Sequence, residues 1–155
     1  MSPVGEDWYI SENKQGVILL GKKIRSSTHT FILGIAVVHL QPDWQDAPGF
    51  LAAVKREKDL DTNPKRFRLL VDEYELQPSV GKYCVAYHMK AEDYGAPRTN
   101  GAPFLLMDTT GLGCMHPNEP DLYIDVFSSE RSKPAEASPE LQAVGDSFVK
   151  SFRFE

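Results

Sequence analysis

The alternation of hydrophobic and polar residues predicts seven strands and two helices along the chain. The strand segments are residues 7–10, 17–24, 28–40, 66–77, 82–90, 104–110 and 122–129. They are rich in β-branched and aromatic residues, and turns of Gly, Pro, Asn and Asp separate them. This pattern predicts an α+β fold, in which a mainly antiparallel sheet of six to seven strands is covered by the two helices. Segment 28–40 is apolar on both faces, which predicts a central strand covered on both sides, with a bulge as one use of Gly34.

Each predicted helix begins with a recognisable cap. Asp46 is a good N-cap for the first helix, which we expect to end near Leu60 because the following Pro64 cannot continue it. Ser138 is the expected N-cap of the second helix, and Pro139 occupies its first helical position. Residues at helical spacing form the stripe of the first helix: Phe50, Leu51, Val54 and Lys58. The stripe of the second helix is expected to be Leu141, Val144, Phe148 and Phe152.

The chain has two cysteines, Cys84 and Cys114. Cys84 lies inside the strand 82–90, and Cys114 lies in the Gly-rich and Pro-rich stretch 111–120. If residues 113–115 extend the preceding strand, the two sulfurs face each other across an antiparallel ladder, and a disulfide closes a loop of about 30 residues. The alternative is a pair of buried, reduced cysteines, which is common in cytosolic proteins.

A zinc site is the other interpretation of the cysteines, because His88 and His116 share their strand parity. In the register that pairs the cysteines, His88 falls opposite Thr110. The two imidazoles then lie about 20 Å apart along the strands, at about 3.3 Å per residue. Four ligands cannot converge over that distance, so we expect no metal site.

The composition is that of an ordinary globular protein, with 41% hydrophobic and 25% charged residues, and we expect residues 1–155 to form one domain. The net charge of -5 and the pI near 5.4 disfavour binding to nucleic acid. The longest apolar run, residues 31–38, is far shorter than the roughly 20 residues of a transmembrane helix, so we expect no membrane span.

Residues 1–7 lack the basic and apolar regions of a signal peptide. The mature part of an exported protein begins in the same way, so this observation leaves both a cytoplasmic and an extracytoplasmic location open.

No P-loop, GxGxxG, GxSxG or HExxH motif is present, so the sequence identifies no catalytic residue and no cofactor. Several polar residues near loops are nevertheless candidates for binding, although each also fits a solvated surface. His116 is a loop histidine beside carboxylates, Asp125 and Glu130 are candidates for a polar cleft, and Glu92 with Asp93 is a candidate cation-binding rim. The candidate binding residues are His116, Asp121, Asp125, Glu130, Arg131, Glu92 and Asp93.

Two functional hypotheses follow. The first is a non-enzymatic binding or accessory domain for a protein or small-molecule partner, which it contacts through loops 91–103 and 115–121. The alternative is a small-ligand or hydrolytic enzyme in which Asp121, Asp125 or Glu130 assists His116.

Four short stretches, namely Tyr83-Cys84, Gly113-Cys114-Met115-His116-Pro117, Ser129-Glu130-Arg131 and Ser151-Phe152-Arg153-Phe154, resemble a group of small bacterial proteins, many of them exported or lipid-anchored. The order of the elements also resembles the α/β/α sandwich of the PsbP/Mog1 group. The resemblance implies a disulfide and a periplasmic or cell-surface location. PsbP-like proteins are extrinsic photosystem subunits and Mog1-like proteins bind a small GTPase, but no functional residue of either matches a position here, so neither function is transferred.

Overall fold

The computed structural model describes residues 7–154. Residues 1–6 and residue 155 lie outside the described part, and so does most of the segment 1–7 that was compared with a signal peptide. The elements are β1 (Trp8–Lys14), β2 (Val17–Lys22), β3 (Thr30–His39), α1 (Ala47–Asp61), β4 (Phe67–Leu76), β5 (Cys84–Asp93), β6 (Leu105–Met115), β7 (Leu122–Ser132), a short 3-10 helix (Pro134–Glu136) and α2 (Pro139–Lys150).

The strands form one seven-stranded sheet in the order β1-β2-β3-β7-β6-β5-β4. Every neighbouring pair is antiparallel. The prediction of an α+β fold with a mainly antiparallel sheet and two helices is therefore confirmed. β3, the predicted central strand, is an interior strand between β2 and β7.

The two helices lie on opposite faces of the sheet. Successive side chains of a strand point to opposite faces, so Cys84 and Val85 of β5 enter different cores. Val85 packs with Phe50 and Val54 of α1. Cys84 packs against Val149 of α2. The result is a three-layer arrangement, with α1 over β4 and β5 and α2 mainly over β7.

Both predicted caps are present. The Asp46 side chain accepts a hydrogen bond of 2.8 Å from the backbone N of Gly49, and the Ser138 hydroxyl accepts one of 3.3 Å from Leu141. Each bond satisfies a backbone donor that has no partner within its own helix. α1 ends at Asp61, one residue beyond the predicted end.

The predicted stripe of α2 is wrong at Val144, which is 41% exposed. The point of closest approach to the sheet is Gly145, where an added Cβ would overlap Ser128 of β7. Glycine contributes no hydrophobic signal, and neighbouring helix positions differ by about 100°. The predicted apolar stripe therefore includes Val144, whereas α2 faces the sheet at the neighbouring position, Gly145.

β6 continues to Met115, beyond its predicted end at residue 110. Its glycines are strand residues that make room for aromatic rings, whereas the sequence suggested that they belong to a loop. A Cβ at Gly111 would overlap the Tyr87 ring, and one at Gly34 would overlap the Phe127 ring. Tyr87, Gly111, Phe127 and Gly34 occupy one row across four strands. Gly34 thus accommodates a ring in regular register and forms no bulge.

A disulfide joins Cys84 and Cys114, which are directly paired in the β5–β6 ladder. Both cysteines are buried, at 1% and 0% exposure. His88 lies opposite Thr110, as the register argument requires. The disulfide is confirmed, and it links the two strands on the face that α2 covers.

Within residues 7–154, no helix combines the length and the apolar character that a membrane span requires. The same residues contain no group of three or more His, Cys, Asp or Glu side chains placed to hold a metal ion.

Candidate functional site

A cavity of about 540 Å³ lies on the α1 face of the sheet, beside the C-terminal half of α1. It exists because α1 packs mainly on β4 and β5 and covers only the Met115 end of β6 and the Tyr123 end of β7, so the rest of this face stays open. We call it the sheet cavity, and its lining is Ile32, Ala36, Lys58, Asp61, Thr62, Arg66, Phe67, Tyr87, Met89, Met107, Thr109, Asp125, Phe127, Ser129 and Arg131.

β7 supplies the cavity with two of the candidate residues, Asp125 and Arg131. These positions differ by an even number, so the two-residue period of a strand places both side chains on the α1 face. Glu130 has the opposite parity and faces α2. The proposed cleft shared by Asp125 and Glu130 is therefore wrong, because the sheet separates the two carboxylates.

The inner part of the sheet cavity is a buried group of Lys58, Asp125 and Tyr87. Lys58 Nζ donates a hydrogen bond to Asp125 Oδ2, and Tyr87 Oη donates one of 2.8 Å to Asp125 Oδ1. Lys58 Nζ also lies 4.4 Å from the centroid of the Tyr87 ring. Asp125 is 6% exposed, so this carboxylate does not face solvent, as one interpretation of the sequence had it.

Burial, reinforced by the negative charge of Asp125, raises the pKa of Tyr87 well above its ordinary value. The phenol therefore stays protonated and remains a donor to Asp125. Lys58 and Asp125 neutralise each other at close contact. In this part of the cavity the one ammonium group and the one carboxylate are therefore paired with each other.

The outer part of the sheet cavity places two guanidinium groups beside the buried carboxylate of Asp93, and the exposed Asp61 also lines the cavity. Arg66 binds Asp93 through both oxygens, at 2.7 and 2.8 Å, and Gly95 N donates to Oδ1 at 3.0 Å. Arg131 approaches the same carboxylate less closely, with Nε 3.4 Å from Oδ2. Burial opposes ionisation of Asp93, but the hydrogen bonds from Arg66 and Gly95 and the charge of Arg131 outweigh it and lower its pKa.

Arg131 is the poorly satisfied group of the cavity. Within the described residues 7–154, its buried Nε has no hydrogen-bond partner, and its Nη2 donates to the sulfur of Met107 alone, at 3.5 Å. Burial, together with the like charge of Arg66, lowers the pKa of Arg131, although Asp93 opposes that shift. A guanidinium remains protonated in proteins, so Arg131 is a cation with unused donors.

Apolar side chains form the rest of the cavity wall. Met89 and Met107 are buried members of the core, and Phe127 covers the neighbouring part of the sheet. The hydroxyls of Thr109 and Ser129 lie between them, 2.8 Å apart, and share one hydrogen bond. The sheet cavity thus combines an apolar wall with a cationic end.

His116 lies elsewhere, in a second concave surface of about 510 Å³ that we call the loop groove. Its Nδ1 accepts a hydrogen bond of 3.2 Å from Asn118 N, and its ring meets Phe154 edge-on with the centroids 5.7 Å apart. Trp44 and Met115 also line this groove. Within residues 7–154, its lining contains no carboxylate side chain.

The carboxylates proposed to assist His116 have other partners. Asp121 lies 3.1 Å from His39. Glu130, on the α2 face, accepts hydrogen bonds from Ser138 N at 2.8 Å and from Gln142 Nε2 at 3.0 Å, so it anchors the start of α2. The structure therefore does not bring His116 together with Asp125 or Glu130.

Glu92 and Asp93 belong to β5, although the sequence placed them at the start of the loop 91–103. As adjacent strand residues they face opposite sides of the sheet. Glu92 pairs with Arg68 at 3.5 Å, and Asp93 is 0% exposed. The predicted cation-binding rim is wrong, because the two carboxylates cannot converge.

The two loops proposed as one contact surface lie at opposite ends of the sheet. They precede and follow β6, whose 11 residues span about 35 Å at about 3.3 Å per residue. A single contact surface that includes both loops is therefore excluded.

Sequence reasoning missed Lys58, Tyr87, Met89 and Met107 as members of the site. One signal was present: Lys58 follows Val54 at a spacing of four residues, so an ionisable group interrupts the apolar stripe of α1. Charged residues are rarely buried without a partner, so this position implied a carboxylate on the facing strand.

Comparisons with known proteins do not identify a family. No family model matches the chain, and no curated protein matches it.

Proposed function

We propose that the protein is a non-enzymatic binding domain that holds a small ligand in the sheet cavity. The observation that carries the proposal is Arg131, a cation in an open cavity of about 540 Å³ whose buried Nε has no hydrogen-bond partner in the part of the chain that the structure describes. Small-molecule sites are usually concave and largely apolar, with a few convergent polar groups. The sheet cavity has these properties.

Binding is favoured over catalysis by the state of the reactive groups. Asp125 already accepts hydrogen bonds from Lys58 and Tyr87, so none of the three is free to act as a base or nucleophile. Both cysteines form the disulfide. The enzymatic alternative with His116 has no geometric support, because its intended carboxylate partners have other contacts.

We also propose that the protein functions outside the cytoplasm, at a periplasmic or cell-surface location, and that its fold belongs with the PsbP/Mog1-like sandwiches. The disulfide supports the first point, since such bonds persist mainly in oxidising compartments. The order of strands and helices supports the second.

The methionines provide a direct test of the ligand site. Met89 and Met107 line the sheet cavity, whereas Met115 lines the loop groove. In protein labelled with ¹³C at the methionine methyls, a titration with 1-octanol should shift the signals of Met89 and Met107 and leave that of Met115 in place. A shift confined to Met115 would favour the competing proposal, a partner site in the loop groove.

A variant that fills the cavity provides the control. Ala36 lines the sheet cavity on β3, so Ala36→Phe should abolish the shifts of Met89 and Met107. Ala135 is exposed outside the cavity, and Ala135→Phe should leave both shifts unchanged. If Ala36→Phe folds and binds 1-octanol as the native chain does, the sheet cavity is not the ligand site.

A further inference from the structure

We infer that the natural ligand is an amphipathic anion, with a carboxylate or phosphate head on Arg131 and an apolar body against Met89, Met107 and Phe127. This inference rests on the proposed function, since it assumes that the sheet cavity is the binding site. It adds the chemical class of the ligand and the residue that recognises its charge.

The charges at the outer end of the cavity carry the first step. Two guanidinium groups, of Arg66 and Arg131, face one carboxylate, that of Asp93. Arg66 occupies both oxygens of Asp93 with short hydrogen bonds. Among residues 7–154, Arg131 therefore has only a longer contact, of 3.4 Å, with a carboxylate that Arg66 already occupies. Asp61, the other carboxylate near this end, is exposed at the last residue of α1.

The donor geometry of Arg131 carries the second step. A guanidinium has five N–H donors in a planar fork, and two of them match the oxygens of a carboxylate or phosphate. From residues 7–154, Nε receives no hydrogen-bond partner, and Nη2 receives only a thioether sulfur, which is a weak acceptor. An anionic head would supply the strong acceptors that these donors lack.

The register of the sheet carries the third step. Arg131 of β7 is directly paired with Met107 of β6, so the cationic end and the apolar wall are contiguous. Met89 is paired with Thr109, the next wall residue on the α1 face of β6. Methionine side chains are flexible and polarisable, and they adapt to apolar groups of different shape. A head bound at Arg131 therefore directs an attached apolar body along this wall.

A cationic amphiphile fits the same cavity poorly. Asp125, the buried carboxylate of the lining, is already bound by Lys58 and Tyr87, so it has little capacity for another cation. A cationic head at the outer end would be repelled by the guanidinium groups of Arg66 and Arg131. The cavity should therefore discriminate by the sign of the head group.

Four probes with the same eight-carbon tail test this discrimination: octanoate, octyl phosphate, 1-octanol and octylammonium. Dissociation constants are measured from the methyl signals of Met89 and Met107. We expect at least one anion to bind about tenfold or more tightly than 1-octanol, as a charge-assisted hydrogen bond predicts, and octylammonium to bind more weakly than 1-octanol. Octanoate against octyl phosphate separates a carboxylate ligand from a phosphate ligand.

Substitution of the proposed anchor should remove the preference without removing the site. In Arg131→Gln, both anions should bind no more tightly than 1-octanol, whose own affinity should stay within about twofold. Arg131→Lys should retain part of the preference, because it keeps the charge and loses the planar fork. Arg56→Gln is the matched control, since it removes a cation that is 61% exposed on α1, and it should keep the full preference.

The outcomes separate the two levels of the proposal. Equal affinity of the native chain for 1-octanol and both anions would overturn the anionic class and leave the binding site standing. No shift of Met89 or Met107 with any probe would overturn the binding site itself. If Arg131→Gln does not fold, the salt dependence of binding to the native chain tests the same claim. Between 50 and 500 mM salt the Debye length falls roughly threefold, so the affinity for the anions must decrease. The affinity for 1-octanol must not decrease.

Discussion

Reduction of the Cys84–Cys114 disulfide should destabilise the protein mainly by increasing the conformational entropy of the unfolded chain. The cysteines are 30 residues apart in sequence. For a closed loop of this length, the chain-entropy model gives a loss of about 3.7 kcal/mol at 25 °C. That is a large share of the roughly 5–15 kcal/mol that stabilises a typical domain.

The folded state should change little on reduction, which makes the magnitude interpretable. Both sulfurs are fully buried, and Leu112, Val149 and Phe152 surround them. A thiol behaves as a small hydrophobic group, so the reduced cysteines can keep these contacts. The effect should therefore follow the loop length rather than a lost core.

Urea denaturation with and without a reductant measures this effect. The two tryptophans report unfolding by fluorescence, since Trp44 packs on Phe50 and Trp8 on Phe31. With a denaturant slope of about 1–3 kcal/mol per molar urea, the midpoint should fall by between about 1 and 4 M. The variant in which both cysteines are replaced by alanine should not respond to the reductant.

A small effect would refute the reasoning. If mass spectrometry after alkylation shows two free thiols and the midpoint falls by less than about 0.5 M, the bond does not constrain the unfolded chain as proposed. A large loss of near-ultraviolet circular dichroism before any urea is added would instead place the effect in the folded state.

Three further predictions concern the sheet cavity and its supports. Gly111→Ala should cost about 1–3 kcal/mol in urea denaturation, because the added Cβ displaces the Tyr87 ring; an unchanged midpoint would contradict the tight packing of that row. Lys58→Met should cost about 3–5 kcal/mol because it leaves Asp125 buried without its cation, and in the same urea assay a second change, Asp125→Leu, should recover most of that loss. The folded-state pKa of Asp93 is lowered, so its contribution to stability is present above its unfolded pKa of about 3.9 and is lost as the pH falls through the lower folded value. The native chain and Asp93→Asn should therefore differ in melting temperature at pH 6, the difference should begin to shrink near pH 4, and the two should converge only below the lowered folded pKa of Asp93. A constant difference would place the effect elsewhere.

The order of the elements could be predicted because hydrophobic period and capping residues act locally. Asp46 and Ser138 mark the starts of both helices, and the parity of Cys84 and Cys114 is sufficient to place the disulfide once β6 is known to continue through residue 114. These features depend on neighbours in sequence, and the sequence displays them directly.

Errors arose where a residue's role depends on a distant side chain. Gly111 and Gly145 look like turn or neutral positions, yet Tyr87 and Ser128, which are remote in sequence, occupy the space that a side chain would need. A hydrophobicity pattern does not show that a glycine is required by a neighbouring side chain. The predicted end of β6 and the predicted sheet-facing side of α2 were therefore wrong.

The site could be predicted only in part, for a related reason. Strand parity places Asp125 and Arg131 on one face of the sheet and Glu130 on the other. The contribution of Lys58 requires knowing which strands α1 covers. The shortage of acceptors at Arg131 requires knowing that Arg66 already occupies Asp93, and no pattern along the chain contains that information.

The Nε–H resonance of Arg131 tests the central claim most directly, because this donor lacks a hydrogen-bond partner among the described residues and is proposed to bind the ligand head. It can be assigned in a ¹⁵N-labelled sample by its absence in Arg131→Gln. During titrations with octanoate and with octyl phosphate, the account predicts that at least one anion moves it downfield in step with the methyl signals of Met89 and Met107, while 1-octanol moves only the methyls. A resonance that stays in place while either anion shifts both methyls would show that Arg131 does not recognise the anion.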